Sequence, residues 1–544
     1  MQTTDSHSKE SVPAGGASPI PTIALPKGGG AIRGIGEKFG ANPVTGTGSF
    51  NIPIATSPAR SSFGPQLSLT YDSGNGNGPF GLGWNLSLPS ITRKTDKGLP
   101  RYNDAEESDV FILSGAEDLV PVYQRTAQGD WERDAKGNLA VDEEEREGHT
   151  VRLYRPRTEG LFARVERWTR LSDSDVHWRS ISKDNITTFY GKSAESRVSD
   201  PADLERVFSW LICESYDDKG NALIYKYAPE DAGNIDLTLA SERNRVRTAG
   251  RYLKRIQYGN RVSRLVQPDL TLTEWMFEVV FDYDEDHYET LDLDPTRPEA
   301  EQHQFVRASA SPGGLWVFRP DPFSSHRAGF EVRTYRRCHR VLLFHRFAEL
   351  GAEPYLVRST EFEYADLDYT QPTTIEAELA YRGSTRFASF IGTVTQSGYV
   401  RDDTRTALVR NGVTFTTYLK KSLPPLKLEY SKAIIQDDVR ELDATSMDNL
   451  PVGLDGATYR WVDLDGEGVS GILTEQADAW FYKPNLGGGR FGPLETVASQ
   501  PPLAALSGGR QQLFDLAGDG QLDLVAFTGP TPGFFERKIG RAHV

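Results

Sequence analysis

The sequence has 544 residues, 38% of them hydrophobic and 25% charged, which suffices for about three or four domains of ~150 residues and excludes a chain disordered throughout. Its 61 basic and 76 acidic side chains leave a net charge of −15, which argues against nucleic acid as a partner. The two cysteines, Cys213 and Cys338, cannot build a disulfide framework or a multi-cysteine zinc site and read as small buried hydrophobes.

No apolar run approaches the roughly 20 residues of a membrane-spanning helix, so direct membrane insertion is not expected. The N-terminus, with Asp5, Lys9 and Glu10 and no apolar segment, lacks a secretory-signal pattern, and export would need another route. Residues 1–30 contain the Gly/Pro/Ser-rich SVPAGGASPIPTIALPKGGG and are expected to form a disordered arm.

From about Ala31 the text becomes short runs with alternating apolar positions: Phe50, Ile52 and Ile54; Leu67, Leu69 and Tyr71; Trp84, Leu86 and Leu88. Each is bounded by Gly, Pro, Asn or Ser, the pattern of half-buried strands. The Ser73–Gly81 stretch, SGNGNGPFG, supplies the positive-φ residues of a hairpin connection. Strand-like runs continue over 208–228, 272–283, 314–323, 331–347 and 355–367, and the turn Tyr216–Asn221 precedes Tyr225 and Tyr227 on one predicted face. Thr374 to Ala380 is the one helix candidate.

Near Tyr430 the wording changes. Two segments resemble each other, one around Asp463, Asp465 and Glu467 and one around Asp515, Asp519 and Asp523, with Asp463 and Asp515 52 residues apart (515 − 463 = 52). That spacing suits propeller-like repeats, although two are too few to close a propeller. The last six residues, IGRAHV (539–544), resemble a translated sequencing adaptor; they are set aside as a scar, and the natural protein is expected to continue past Lys538.

The acidic repeats are the best candidates for chemistry, because alternating carboxylates around a Gly turn can wrap a hard cation. The pattern is imperfect: Gly471 stands where a closing carboxylate belongs in the first copy, and Ala517 breaks the second. An Asp/Gly turn satisfying its own backbone is therefore favoured over a calcium loop, and Asp463, Asp465, Glu467, Asp515, Asp519 and Asp523 are the ligand candidates if calcium binds. Glu361-Phe-Glu363 after Ser359-Thr360 superficially resembles the paired glutamates of ADP-ribosyltransferases, but solvated-face alternation explains it. The acidic run Asp282–His287 reads as a solvated loop. The basic cluster Arg333, Arg336, Arg337, His339 and Arg340 reads as cations snorkelling over apolar neighbours. No serine, cysteine or histidine constellation stands out, and no enzyme activity or cofactor is expected.

Residues Gly28 to Tyr102, from GGGAIRGIGEKFGANPVTGTGSF through FGLGWNLSLPSITRKTDKGLPRY, strongly resemble the opening of the SpvB-type N-terminal domain. That family includes the B components of bacterial insecticidal Tc toxin complexes. The likeness continues through 216–227, 334–347 and 392–399 and into the acidic repeats, which resemble the start of the B component's middle-region propeller. The resemblance implies a mainly β fold, with an extended antiparallel β-sheet shell over residues 31–430 and the first blades of a truncated FG-GAP/VCBS-like β-propeller over 431–538. It implies a secreted structural role: a cocoon wall that joins the RHS-repeat C component to hold its toxic C-terminal piece, and a propeller that docks on the pentameric A component. The alternative is the delivery domain of an actin ADP-ribosylating toxin whose catalytic domain lies outside this chain.

Overall fold

The computed structural model describes residues 38–41, 48–114, 117–134, 137–158, 162–293, 303–365, 388–430, 439–450, 459–465, 468–477, 479–497, 511–516, 522–528 and 532–536. The disordered arm, the Thr374–Ala380 helix and the 539–544 scar lie outside these residues. The chain divides into two compact units, the first Met1–Lys94 with Leu99–Tyr430 and the second Ser431–Val544 with Thr95–Gly98.

In the first unit, strands Gly48–Ile54, Leu67–Asp72 and Trp84–Leu86 form an antiparallel sheet in which Ile52 lies opposite Leu69 and Leu69 opposite Leu86. The period of two puts Ile52, Ile54, Leu67, Leu69, Trp84 and Leu86 on one buried face. Gly83 closes the connection before Trp84. Its φ is +81°, and a Cβ there would lie 2.3 Å from the Tyr71 ring, so neither the backbone nor the space admits a side chain.

Eight strands then pair in a closed circuit: Ser90–Arg93, Phe111–Leu113, Glu117–Pro121, His149–Pro156, Arg164–Arg170, Val176–Ile181, Thr187–Tyr190 and Asp203–Tyr216, the last returning to the first. Closure removes the exposed edges of an open sheet, and eight strands leave an interior that side chains can fill. Phe111 packs edge-on against Tyr154, Trp178 and Trp210 at 6.1, 5.0 and 5.8 Å between ring centroids. Ile91, Leu119, Val165 and Tyr190 join them in one core. The sequence reading expected an extended sheet; this closed barrel within it is additional.

The 14-residue strand Asp203–Tyr216 also starts a long meander. It pairs with Ala222–Pro229, and the ladder runs on through Arg251–Asn260, Trp275–Asp282, Arg340–His345, Tyr355–Ala365, Phe390–Arg401 and Val413–Ser422. The turn between the first two is the predicted one. The Asp217 carboxylate accepts the Lys219 and Asn221 backbone N–H groups at 3.0 and 2.9 Å, an Asx arrangement that fixes the hairpin. Val279, Phe281, Val341 and Leu343 face the small sheet, whereas Val280, Leu342 and Phe344 face a second cluster on the opposite side. Burial on both faces explains why Val279–Phe281 and Val341–Phe344 are continuously apolar, each fully buried large side chain contributing about 1.5–3 kcal/mol. Cys338 is buried as expected; Cys213 is only half-buried, its thiol donating to Phe189 O at 3.4 Å.

The second unit is also β. Strands Tyr459–Val462, Gly471–Gln476, Ala479–Lys483 and Glu495–Thr496 form a four-stranded antiparallel sheet, and Gln512–Phe514, Asp523–Ala526 and Gly533–Phe535 form a three-stranded one. Val462, Leu464, Leu473, Trp480 and Tyr482 from the first share a core with Leu524 from the second.

Candidate functional site

Each acidic repeat includes an antiparallel strand pair: Asp463 follows strand Tyr459–Val462 of the first, and Asp523 opens strand Asp523–Ala526 of the second. In the first, the Asp463 carboxylate accepts the Gly468 N–H at 2.7 Å; in the second, Asp523 accepts the Leu516 N–H at 3.0 Å. The Tyr482 hydroxyl donates to Val462 O at 3.2 Å and accepts the Leu464 N–H at 3.3 Å. It also explains Gly471, where a Cβ would lie 2.6 Å from the Tyr482 hydroxyl and from Lys483 O. The position where the sequence reading sought a closing carboxylate is thus filled by a neighbouring strand. Burial, then the nearby Asp465 and Asp463, raise the Tyr482 phenol above its ordinary value. Glu467 and Asp519 lie outside the described residues. Among the described residues no three His, Cys, Asp or Glu side chains gather as a metal site.

The acidic run and the basic cluster are not the two solvated surfaces that the sequence suggested. Asp282, Glu285 and His287 are buried, and so are Arg333 and Arg336. Arg340 Nη1 stands 2.9 Å from Asp282 and 2.8 Å from Asp284. Lys254 pairs with Glu285. Arg336, fully buried, reaches Glu230 and Asp231, each at 2.9 Å, and Arg333 reaches Glu242 at 2.7 Å. Burial pushes the Asp282 carboxyl up, but Arg340 and His287, with hydrogen bonds from Arg340 and the Glu285 N–H, outweigh it and hold it below its ordinary value. Buried charges require such partners, and these come from strands and connecting segments far apart in sequence.

Glu361 is likewise not on a solvated face. Its carboxylate accepts from Ser359 Oγ at 2.8 Å, Ser397 Oγ at 3.1 Å, Tyr399 Oη at 3.2 Å and Lys420 Nζ at 2.8 Å, while Glu363 remains exposed. Three of these donors meet Oε1 and Lys420 meets Oε2, an arrangement that pins three strands together.

The fold also joins residues that the sequence reading kept apart. Ser57 Oγ and His345 Nε2 are 2.7 Å apart across 288 positions. Tyr258 Oη both accepts the Ser57 N–H and donates to Ser57 O, and Phe277 and Phe347 pack edge-on against the imidazole. Among the described residues no carboxylate hydrogen-bonds His345, so the pair lacks the group that would orient a base toward a nucleophile. It fastens the Ser57 loop to the sheet. Sequence reasoning also passed over Arg93, Arg152, Arg167 and Arg197, which converge at one end of the barrel; the inward phase of their strands, with Arg93 two residues after Ile91 and Arg167 two after Val165, was the available signal.

Known proteins share this fold. The chain superposes on the crystal structure of TcdB2–TccC3 with a TM-score of 0.65 at 28% identity, covering 94% of this chain and 22% of that one. It matches the Photorhabdus luminescens Tc holotoxin pore equally well, over 95% of this chain and 22% of that one, also at 28% identity and a TM-score of 0.65. The mono(ADP-ribosyl)transferase SpvB of Salmonella typhimurium (strain 14028s / SGSC 2262) is 36% identical over 367 residues, which are 66% of this chain. The chain spans 57% of the length of that relative. Residues 42–347, more than half of the chain, match the family described as Salmonella virulence plasmid 65kDa B protein, and the chain belongs to this SpvB family.

Proposed function

We propose that this chain is a non-enzymatic wall component of a secreted Tc-type toxin complex. Residues 31–430 would line the cocoon with the C component and enclose its toxic piece, and 431–538 would begin the propeller that docks on the A component. The observation that carries this reading is the likeness to TcdB2–TccC3 over 94% of the chain, both units included. The four-stranded antiparallel sheet that includes the first acidic repeat has the strand number of a propeller blade, which supports the docking part.

A second reading is favoured by the 36% identity to an ADP-ribosyltransferase: the chain would be the carrier half of such an enzyme. Sequencing the source locus beyond position 538 separates the two. More acidic repeats, a long Tyr-Asp-repeat region and a C-type gene nearby are expected for the shell. A transferase domain directly downstream would overturn it in favour of the carrier. Co-expression of the complete gene product with the C component should then yield one comigrating complex, and separate elution would count against enclosure.

A further inference from the structure

Glu285 lies in the connection after strand Trp275–Asp282, between two residues in the left-handed region, Asp284 at φ +61° and Asp286 at φ +63°. Aspartate tolerates that conformation better than most residues. The two bends turn the acids apart: the side chains of Asp284 and Asp286 are 31% and 32% exposed, that of Glu285 10%. The backbone is held from both sides. The Glu285 N–H donates to Asp282 Oδ1 at 3.2 Å, and the Glu285 carbonyl accepts the Gly313 and Gly314 N–H groups at 3.1 and 3.0 Å.

Inside, the Glu285 carboxylate meets Lys254 of strand Arg251–Asn260. The Lys254 Nζ also donates to Phe281 O at 3.1 Å and lies 4.7 Å from the ring centre of Tyr283 and 5.5 Å from that of Trp316. Burial outweighs Glu285 and lowers the lysine pKa, which brings the neutral, nucleophilic amine within easier reach than in water. The His287 Nε2 is 3.8 Å from Glu285 Oε2. Its Nδ1–H donates to Ser309 O at 3.0 Å, so Nε2 carries the lone pair, and that atom is buried without a hydrogen-bond partner. Other lysine–carboxylate pairs differ. Lys94–Asp118 and Lys192–Glu214 hold their lysines open to water, and at Lys420 burial is outweighed by Glu361, so that pair stays ionic.

We propose that Lys254 and Glu285 join in an intramolecular amide bond, Nζ to Cδ, with His287 Nε2 as the proton relay. One ammonium proton passes to the carboxylate across their contact, giving amine and acid. The Nζ lone pair then attacks Cδ. His287 takes a second proton from the nitrogen and returns it to the departing hydroxyl, the C–O bond breaks, and one water leaves. Tightening of the His287 contact by about 1 Å brings it to hydrogen-bond reach, as general acid–base groups require. The amide removes two charges from the interior, where they are costly, and Phe281 O already stands where the amide N–H needs an acceptor. The bond closes a 31-residue loop (285 − 254 = 31) and staples strand Arg251–Asn260 to the connection that follows its neighbour.

The test is the intact mass of the whole chain after denaturation. A species lighter than its sequence by one water, about 18 Da, is expected, and its protease digest should contain a branched peptide joining Lys254 to Glu285. Lys254→Arg keeps a cation for Glu285 but stays protonated and cannot attack, so its mass should equal that of its sequence. Lys420→Arg should still lose the water, and His287→Gln should leave most of the chain unjoined. Circular dichroism checks that the variants fold; the mass of the parent decides even where one does not. A parent at its full sequence mass, a loss of water that persists in Lys254→Arg, or a branch mapped to other residues would each overturn the proposal. Complete joining in His287→Gln would overturn the relay.

Discussion

Asp282 and Arg340 lie directly opposite each other on neighbouring antiparallel strands and close at 2.9 Å, although 58 residues separate them in sequence. The Asp282 side chain is 1% exposed and that of Arg340 23%. Removing the cation would strand a buried carboxylate, so Arg340→Met should cost about 3–5 kcal/mol in urea unfolding. The double variant Arg340→Met/Asp282→Leu should recover much of that loss, because desolvation of the unpaired charge is then gone. Since the folded carboxyl titrates below its ordinary 3.8, the stabilisation is present above that pH and disappears as pH falls through the folded value.

Histidines give a second, separate acid limb. His177 lies between Trp168, stacked at 5.8 Å, and His149, edge-on at 5.5 Å. Burial, then the neighbouring His149, Lys192 and Arg197, lower its pKa from 6.5 to about 3. Between those values only the unfolded chain takes up the proton, so stability is constant above pH 6.5 and falls as pH drops toward 3, by up to about 1.4 kcal/mol per pH unit from this one group. His287, 1% exposed and lowered chiefly by burial, acts in the same direction. Urea midpoints from pH 8 down to about pH 4 should therefore decline less in His177→Gln than in the parent, and equal slopes would refute the assignment.

How far the sequence carries can be read from particular positions. Ile52, Leu69 and Leu86 were legible as one face because a period of two is local information. The Asp217 turn was legible for the same reason. Asp282 was misread as solvated because its counter-charge sits on another strand, and a run of acids looks identical whether water or arginine surrounds it. Barrel closure was illegible because it depends on register between Ser90–Leu113 and a strand beginning at Asp203, and register between distant strands is not written in either. Of the candidate ligands, the weakness at Gly471 was visible in the sequence, but its cause, the Tyr482 hydroxyl, was not.

The barrel core offers a graded test. Trp178 is fully buried among Phe111, Tyr154 and Trp210, and its indole N–H has no hydrogen-bond partner. Trp178→Ala should cost about 3–5 kcal/mol through lost burial and a residual cavity. Trp178→Phe loses less volume and also removes the unpaired donor, so its cost should stay below about 1.5 kcal/mol. Denaturant midpoints and the near-ultraviolet circular dichroism of the aromatic cluster report both. Comparable losses in the two variants would mean that the indole nitrogen has a partner such as a buried water.

The acidic hairpins lead to an expectation about calcium. A calcium loop keeps its carboxylates directed at the ion and usually closes with a bidentate acid. Here Asp463 is engaged by the Gly468 N–H and Asp523 by the Leu516 N–H, and the closing position is Gly471, where even a Cβ meets Lys483 O at 2.6 Å. The carboxylates brace their own turns, so saturating calcium or a chelator should leave the thermal unfolding midpoint unchanged. Asp463→Ala should lower it without calcium present, since the loss is a backbone hydrogen bond worth about 1.5–3 kcal/mol when the acceptor is charged. Gly471→Asp should destabilise rather than create a site, because the strand carrying Tyr482 and Lys483 must move to admit it. A midpoint that rises with calcium and returns with chelator would reverse this reading and give Asp463, Asp465, Glu467, Asp515, Asp519 and Asp523 the ligand role.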